Sequence, residues 1–235
     1  MHPPATRHDA LKQLFPGVYF LQGSIQMKPG VRINRNMVVL AHEGELTLIN
    51  SVRLNDEGLA ALDQLGKVTA LVRLGDFHGI DDAFYLERYQ CDLWGQQGSR
   101  VYKRVPPTRF FADGDAGPVP HARYFTFSAV TCPEAALLLT SHGLLITTDS
   151  LQYYGKQLRH FSLPAKMAFP FLGFHRGLNI GPMWLKGVTP EGASLTSDFE
   201  RLATLEFDAL VGAHGEPLMT GAKAALLKEL TKVFG

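Results

Sequence analysis

Residues 73–88, RLGDFHGIDDAFYLER, are the densest group of side chains in the chain that could bind a metal or move a proton. Between an apolar run and a helix-like stretch, seven residues hold one histidine and three aspartates: Asp76, His78, Asp81 and Asp82. Imidazole and carboxylate groups bind zinc, iron and manganese, and a metal-bound water becomes a nucleophile near neutral pH. The stretch predicts either a metal site or a polar loop in which Asp81 or Asp82 caps the helix.

Two further candidates follow apolar, strand-like runs. Asp149 ends GLLITTD (143–149), and His214 follows DALVGA (208–213). A carboxylate at the end of an apolar strand is hard to explain as solvated surface, so Asp149 favours a polar site. His214 precedes a glycine and is also compatible with a turn residue held by hydrogen bonds. Because polar sites in α/β sheets gather beyond the carboxyl ends of strands, we expect both residues to lie near His78.

Composition narrows the function classes. The formal net charge is +1, and no run of lysines or arginines marks a surface for nucleic acid or anionic membrane. No stretch approaches the roughly 18 apolar residues of a membrane span, and the N-terminus lacks the apolar core of a signal peptide. The two cysteines, Cys91 and Cys132, form no CxxC pair. We therefore expect a cytoplasmic protein whose partner is a small-molecule substrate or ligand, without nucleic acid or membrane.

Hydrophobic periodicity gives the elements that must position these residues. A tail (1–16) precedes a first half with a helix capped by Asn55 or Asp56 and a second helix from about Asp81 to Tyr89. A loop-rich stretch (96–120) separates it from a second half that ends in the helix GAKAALLKEL. The predicted strands are 17–23, 36–51 with a hairpin turn at 42–44, 68–74, 122–130, 135–140, 143–149 and 208–213.

The two halves of the chain resemble each other. MVVLAHEGELTLINS (37–51) matches ALLLTSHGLLITTDS (136–150), and each hairpin is followed by a helix, a strand with the letters ALV, and a His-Gly pair. The pairs are His78-Gly79 and His214-Gly215, and a further helix follows each. This ββαβα duplication predicts one domain (1–235) of the α/β class, with two sheets related by a pseudo-twofold axis.

These segments resemble the metallo-β-lactamase superfamily, from about Gly17 to the end of the chain. GLLITTDS resembles the strand that ends in a metal-bridging aspartate, here Asp149, and LVGAHGEP resembles the strand before a ligand histidine, here His214. The resemblance implies a four-layer αββα sandwich. It also places the loop 75–82 where the superfamily carries its His-x-His-x-Asp-His signature.

The loop departs from that signature. It keeps one histidine, His78, with Asp76, Ile80 and Asp81 at the other ligand positions, and a shift of one residue would bring Asp82 into play. The ligand histidine expected before the second hairpin is also replaced, with Ser128, Val130 and Thr131 as the residues there. A single metal is therefore more plausible than two.

The expected site follows from the resemblance. His78, Asp149 and His214 would bind one divalent ion of zinc, iron or manganese, and Asp81 would complete the ligand set. Asp81 or Asp82 would act as the general base in hydrolysis of an ester, lactone or thioester. The alternative is a sandwich-fold binding or interaction protein that has lost both the metal and catalysis.

The segment 153–187 is rich in Phe, Met and Gly and is predicted to be an insertion. Because it follows Asp149 directly, we expect it to cover the site, with His175 and Arg176 as substrate-pocket candidates. An equally good interpretation is that this segment is a packing arm or a homodimer contact.

Overall fold

The computed structural model describes residues 2–235 and contains two main β-sheets. The larger sheet has seven strands that lie in sequence order, antiparallel from the first to the fourth and parallel from the fourth to the seventh. Its strands are β1 (Lys12–Phe15), β2 (Val18–Lys28), β3 (Val31–His42), β4 (Glu45–Ile49), β5 (Lys67–Val72), β6 (Asp92–Gly95) and β7 (Arg109–Phe110).

The smaller sheet has four strands in the order β13-β10-β9-β8. A separate antiparallel pair, β11 with β12, lies between β10 and β13 in the sequence. These strands are β8 (Ala122–Thr126), β9 (Ala135–Leu139), β10 (Leu144–Ile146), β11 (Leu151–Tyr154), β12 (Gly177–Ile180) and β13 (Ala209–Val211). The helices are α1 (Asp56–Leu65), α2 (Asp82–Tyr89), α3 (Leu163–Ala168), α4 (Pro182–Val188), α5 (Thr196–Ala203) and α6 (Ala222–Phe234).

Three clusters of buried side chains show how these elements are layered. One cluster joins inward-facing residues of both sheets, such as Leu40 and Ile146. A second joins the other face of the larger sheet to α1 and Tyr85 of α2. A third joins the smaller sheet to α4, α5 and α6. Because side chains alternate between the faces of a strand, each sheet buries one face against the other sheet and one against helices.

The predicted duplication is present in the topology. In the first half, the β3–β4 hairpin is followed by α1, by β5 parallel to β4, and by α2. In the second half, the β9–β10 hairpin is followed by α5, by β13 parallel to β10, and by α6. The same strand pairing therefore occurs twice, and in the second half β11, α3, β12 and α4 are inserted between the hairpin and α5.

Some elements differ from the sequence expectation. Residues 12–15, predicted to belong to the tail, form edge strand β1. Segment 153–187 contains regular structure, the β11–β12 pair with α3 and α4, although its sequence has no clear period. The predicted cap of α1 is confirmed, since the side chain of Asn55 accepts a hydrogen bond from the Gly58 amide.

Candidate metal centre

The register of the smaller sheet brings Asp149 and His214 together. Ile146 of β10 pairs with Val211 of parallel strand β13, and each candidate lies three residues beyond its paired position. His78 comes from the loop after β5, where its amide donates to the carbonyl of Gly75 at 3.0 Å. The candidates from both halves of the chain therefore meet at the carboxyl ends of their strands, as the duplication predicts.

The side chains of His78, Asp149 and His214 form one compact group. His78 Nε2 lies 3.1 Å from Asp149 Oδ2, and His214 Nε2 lies 3.4 Å from Asp149 Oδ1. One ligand atom from each residue can be chosen so that all three lie within 4.8 Å of one another. Ligand atoms at the usual zinc distances are about 3.3 Å apart around a tetrahedral ion. The two contacts to Asp149 are close to that spacing and end on its two different oxygens, and the donor set of two imidazoles and one carboxylate fits a metal ion.

The hydrogen bonding of His214 points to the same conclusion. Its Nδ1 lies 2.6 Å from the carbonyl oxygen of Asn34, which can only accept, so Nδ1 carries the proton. The other ring nitrogen, Nε2, then presents a lone pair toward the carboxylate of Asp149. A cation between Nε2 and the carboxylate would satisfy both groups, and a carbonyl on the second ring nitrogen is the usual support for a metal-binding histidine.

Burial and charge set the pKa values of the group. Burial would lower the pKa of His78, but the charge and hydrogen bond of Asp149 outweigh it and raise that pKa. Burial would raise the pKa of Asp149, but the neighbouring histidines outweigh it and lower that pKa. For His214, burial is the largest effect and lowers the pKa. The centre is thus an ionised carboxylate between two imidazoles, of which His214 is held neutral.

A cluster of side-chain amides fixes the turn that carries His214. Gln22 of β2, together with Asn34 and Asn36 of β3, donates to the carbonyl of Gly215 at 2.5, 2.8 and 3.1 Å. Gly215 has a φ of +82°, and a Cβ at this position would lie 2.0 Å from the carbonyl oxygen of Tyr153. Only glycine fits this turn, because both its backbone conformation and its close approach to β11 exclude a side chain.

The structure places Asp81 and Asp82 outside the group and gives both carboxylates other partners. Asp81 pairs with the Arg35 guanidinium and accepts the Arg53 amide at 2.7 Å. Asp82 pairs with the Arg73 guanidinium at 2.7 Å and accepts the Ser51 hydroxyl at 2.7 Å.

Buried arginines pair with both carboxylates, and neither aspartate belongs to the group of His78, Asp149 and His214. Their role as ligand or general base stays a prediction. The helix-cap alternative for Asp81 is wrong. Asp81 stands at the N-cap of α2, but its side chain makes no capping bond.

Asp76, the aspartate at the first position of the signature, is also fully engaged. Its carboxylate accepts the Ser99 hydroxyl and the amides of Arg100, at 2.5 Å, and Val101, at 3.0 Å. The side chain thus closes the loop 99–101 onto the site loop. Each of the three aspartates of 73–88 therefore has partners within the protein: loop amides for Asp76, and buried arginines for Asp81 and Asp82.

Glu134 is a buried carboxyl next to the centre that the sequence pattern did not indicate. One oxygen accepts the Ser150 amide at 2.5 Å, and the other, Oε2, is buried without a hydrogen-bond partner. Burial and the charge of Asp149 raise the pKa of Glu134. A glutamate directly before the apolar run AALLL was the available signal, since such a position is close to the start of a buried strand.

His175 and Arg176, the substrate-pocket candidates, lie apart from this group. His175 Nε2 is 2.9 Å from a carboxylate oxygen of Glu229, and Arg176 donates to the carbonyl of Gly155 at 2.6 Å. Both line a separate cavity in the segment 153–187. Their role in substrate binding stays a prediction, as does coverage of the site by this segment.

Comparison with solved structures identifies the fold. FIM-1 metallo-β-lactamase from Pseudomonas aeruginosa in its mono-zinc form superposes with a TM-score of 0.65 at 11% identity, over 97% of each chain. Metallo-β-lactamases from Erythrobacter litoralis and Hirschia baltica give TM-scores of 0.60 and 0.61 at 14% and 11% identity, over 95% of this chain and 92% and 97% of theirs. The chain therefore has the metallo-β-lactamase fold.

This likeness lies in the structure rather than in the sequence. No family model matches the chain, and no curated protein matches it. In residues 2–235 no helix is long and apolar enough to span a membrane.

Proposed function

We propose that the protein is a metal-dependent hydrolase that uses one divalent ion held by His78, Asp149 and His214. The convergence of these three side chains, with ligand atoms within 4.8 Å of one another, carries the proposal. The fold supports it, and so does the mono-zinc form of FIM-1, which shows that this fold accommodates a single ion. Two imidazoles and a carboxylate form a donor set that suits zinc, iron or manganese.

The bound ion would supply a nucleophilic water near neutral pH and would polarise the carbonyl of an ester, lactone or thioester. The protein side chains hold the geometry. Asp149 offers one oxygen toward each histidine, and Gln152 donates to Asp149 Oδ1 at 3.1 Å, which fixes the plane of the carboxylate. Asn34 fixes the ring of His214 through its carbonyl oxygen. Partners of this kind orient the ligands of catalytic metal sites.

An inactive binding protein is the second candidate. The observation that favours it is that Asp76, Asp81 and Asp82, in the loop that corresponds to the signature, all have hydrogen-bond or ion-pair partners within the protein. The two candidates differ in whether the chain retains a metal and whether it turns over a substrate.

The experiment is elemental analysis by plasma mass spectrometry of protein purified without a chelating column. We expect about one zinc, iron or manganese ion per chain in the wild type and a loss of at least ten-fold in Asp149→Asn. Asp56→Asn is the matched control, because Asp56 is an exposed residue in the first turn of α1. A panel of 4-nitrophenyl esters, a lactone and a thioester then tests turnover, which should disappear with the metal. A wild type that stays metal-free after incubation with all three ions would refute the proposal.

A further inference from the structure

The segment 153–187 forms a cavity of about 720 Å³ that is separate from the metal centre. Its walls are formed by residues 156–160, by Lys166 of α3, by Phe169 and Pro170 after α3, and by residues 174–176. None of the three candidate metal ligands lines this cavity. A volume of this size is typical of a site for a small organic molecule.

The lining is cationic. Four basic side chains and no carboxylate line the cavity: Lys156, Arg159, Lys166 and Arg176. Arg159 is paired with Asp9 at 3.1 Å from outside the lining. In the described part of the chain, the ammonium groups of Lys156 and Lys166 form no ion pair, so both are available to a ligand. An excess of positive charge in a recess attracts anionic groups.

The floor of the cavity is apolar. Leu158, Phe169 and Phe174 line it, and they belong to a small buried cluster with Tyr154 and Phe161. Phe169 and Phe174 are stacked, with ring centroids 5.3 Å apart. Leu158 and Phe169 are already buried and Phe174 is half-buried, so the apolar surface left for a ligand is chiefly that of Phe174. A ligand with an apolar body would bury it, whereas a ligand that only carried charge would not.

The outer face of the same wall is also apolar. Leu163 and Met167 of α3 are 70% and 65% exposed, and Phe171 in the next turn is 88% exposed. These side chains extend the apolar surface beyond the cavity. A second copy of the chain is a poor occupant, because a twofold contact through this wall would bring the basic side chains of both copies together.

We propose that this cavity binds a small anionic amphiphile, a molecule with a carboxylate or phosphate group on an apolar body. Lys156 and Lys166 receive the anionic group, and the stacked rings of Phe169 and Phe174 receive the apolar body. The inference is independent of the metal and of hydrolysis, because it rests on the lining of this cavity alone.

The test is isothermal titration with three probes: octanoate, 1-octanol and acetate. Octanoate carries both features, 1-octanol has a chain of the same length without the charge, and acetate has the charge without the chain. We expect octanoate to bind at least ten-fold more tightly than either. The variant Lys156→Gln/Lys166→Gln should weaken octanoate binding at least ten-fold. Lys67→Gln/Lys103→Gln, on other parts of the chain, should leave it unchanged.

Thermal unfolding of each variant establishes that the fold is intact. The proposal is wrong if octanoate does not bind, if acetate binds equally well, or if the cavity variant binds octanoate like the wild type. Co-sedimentation with phosphatidylglycerol and phosphatidylcholine vesicles separates the sources of such a ligand. Capture by the anionic vesicles without binding of free octanoate would overturn the cavity and assign the basic and apolar side chains to a membrane surface.

Discussion

The substitution Asp82→Asn separates a structural role of the site loop from a catalytic one. Asp82 is 3% exposed and receives two nitrogens of Arg73 and the hydroxyl of Ser51. Arg73 is itself 4% exposed, and one nitrogen of its guanidinium already has no partner. Loss of the negative charge leaves a buried cation uncompensated, which costs about 3–5 kcal/mol when one partner of a buried pair is removed. Asparagine keeps the shape of the side chain, so we expect a value near 3 kcal/mol.

The assay is unfolding by heat and by urea, followed by circular dichroism. In a chain of this size, about 3 kcal/mol corresponds to a fall in Tm of about 6–12 °C. Asp63→Asn is the matched control, because Asp63 pairs with Arg88 at 2.9 Å but both side chains are about 40% exposed. Exposed pairs contribute about 1 kcal/mol or less, so the control should lower Tm by at most about 2–4 °C.

Metal content of the folded variant completes the test. We expect Asp82→Asn to bind metal like the wild type below its Tm, because its oxygens face Arg73 and Ser51. An Asp82→Asn protein with unchanged Tm and lost metal or activity would refute the structural reasoning and support the predicted role of Asp82 as ligand or base. The double variant Arg73→Met/Asp82→Leu should recover most of the lost stability, because it removes both charges together.

Three further predictions test the surroundings of the centre. Gly215→Ala should lower Tm and metal content together, because the new Cβ would lie 2.0 Å from a carbonyl oxygen. Its control is Gly192→Ala, where φ is +73° but no atom lies within 4 Å, and which should lower the free energy of unfolding by only about 1 kcal/mol. His78→Gln should reduce bound metal at least ten-fold while Tm of the metal-free protein stays within about 4 °C, measured by plasma mass spectrometry and calorimetry. The pKa of Asp198 is lowered, because hydrogen bonds from Ala129, Ser128 and Arg201 outweigh the effect of burial, which alone would raise it. The stability contributed by Asp198 is therefore present above its ordinary pKa and lost as the pH falls through the lowered value. In urea unfolding, Asp198→Asn should cost about 2–3 kcal/mol at pH 7 and much less near pH 3. The same loss of stability at both pH values would contradict this origin.

The sequence predicted the parts of the fold that repeat or alternate. The two hairpins, the parallel strands after them and the helices α1, α2, α5 and α6 follow from hydrophobic periodicity and from the likeness of 37–51 to 136–150. Strand β1 escaped prediction because it is an edge strand of four residues with little buried surface. The pair β11–β12 escaped because its strands are 22 residues apart in sequence, and short local patterns do not reveal such pairing.

Prediction of the site was partial for a different reason. Asp149 and His214 were found because each follows a buried strand, and strand ends in α/β sheets converge. The partners of Asp81 and Asp82 could not be read from the spacing of the two aspartates, because Arg35 comes from β3 and Arg73 from the loop after β5. Glu134 was missed because its burial depends on contact between the two halves of the chain. For Asp81 and Glu134 the deciding interaction is distant in sequence, whereas Asp82 pairs with Arg73 within the same short stretch of the chain.

The amide cluster around Gly215 has a consequence for how the protein is assembled. Gln22, Asn34 and Asn36 belong to the larger sheet, whereas the carbonyl that they share follows the last strand of the smaller one. His214 is therefore positioned only after the two sheets have docked. A fragment containing only the second half would possess Asp149 and His214 but lack the groups that aim them. Metal uptake during refolding would thus report the final step of assembly, and co-expressed halves of the chain would gain a binding site only upon complementation.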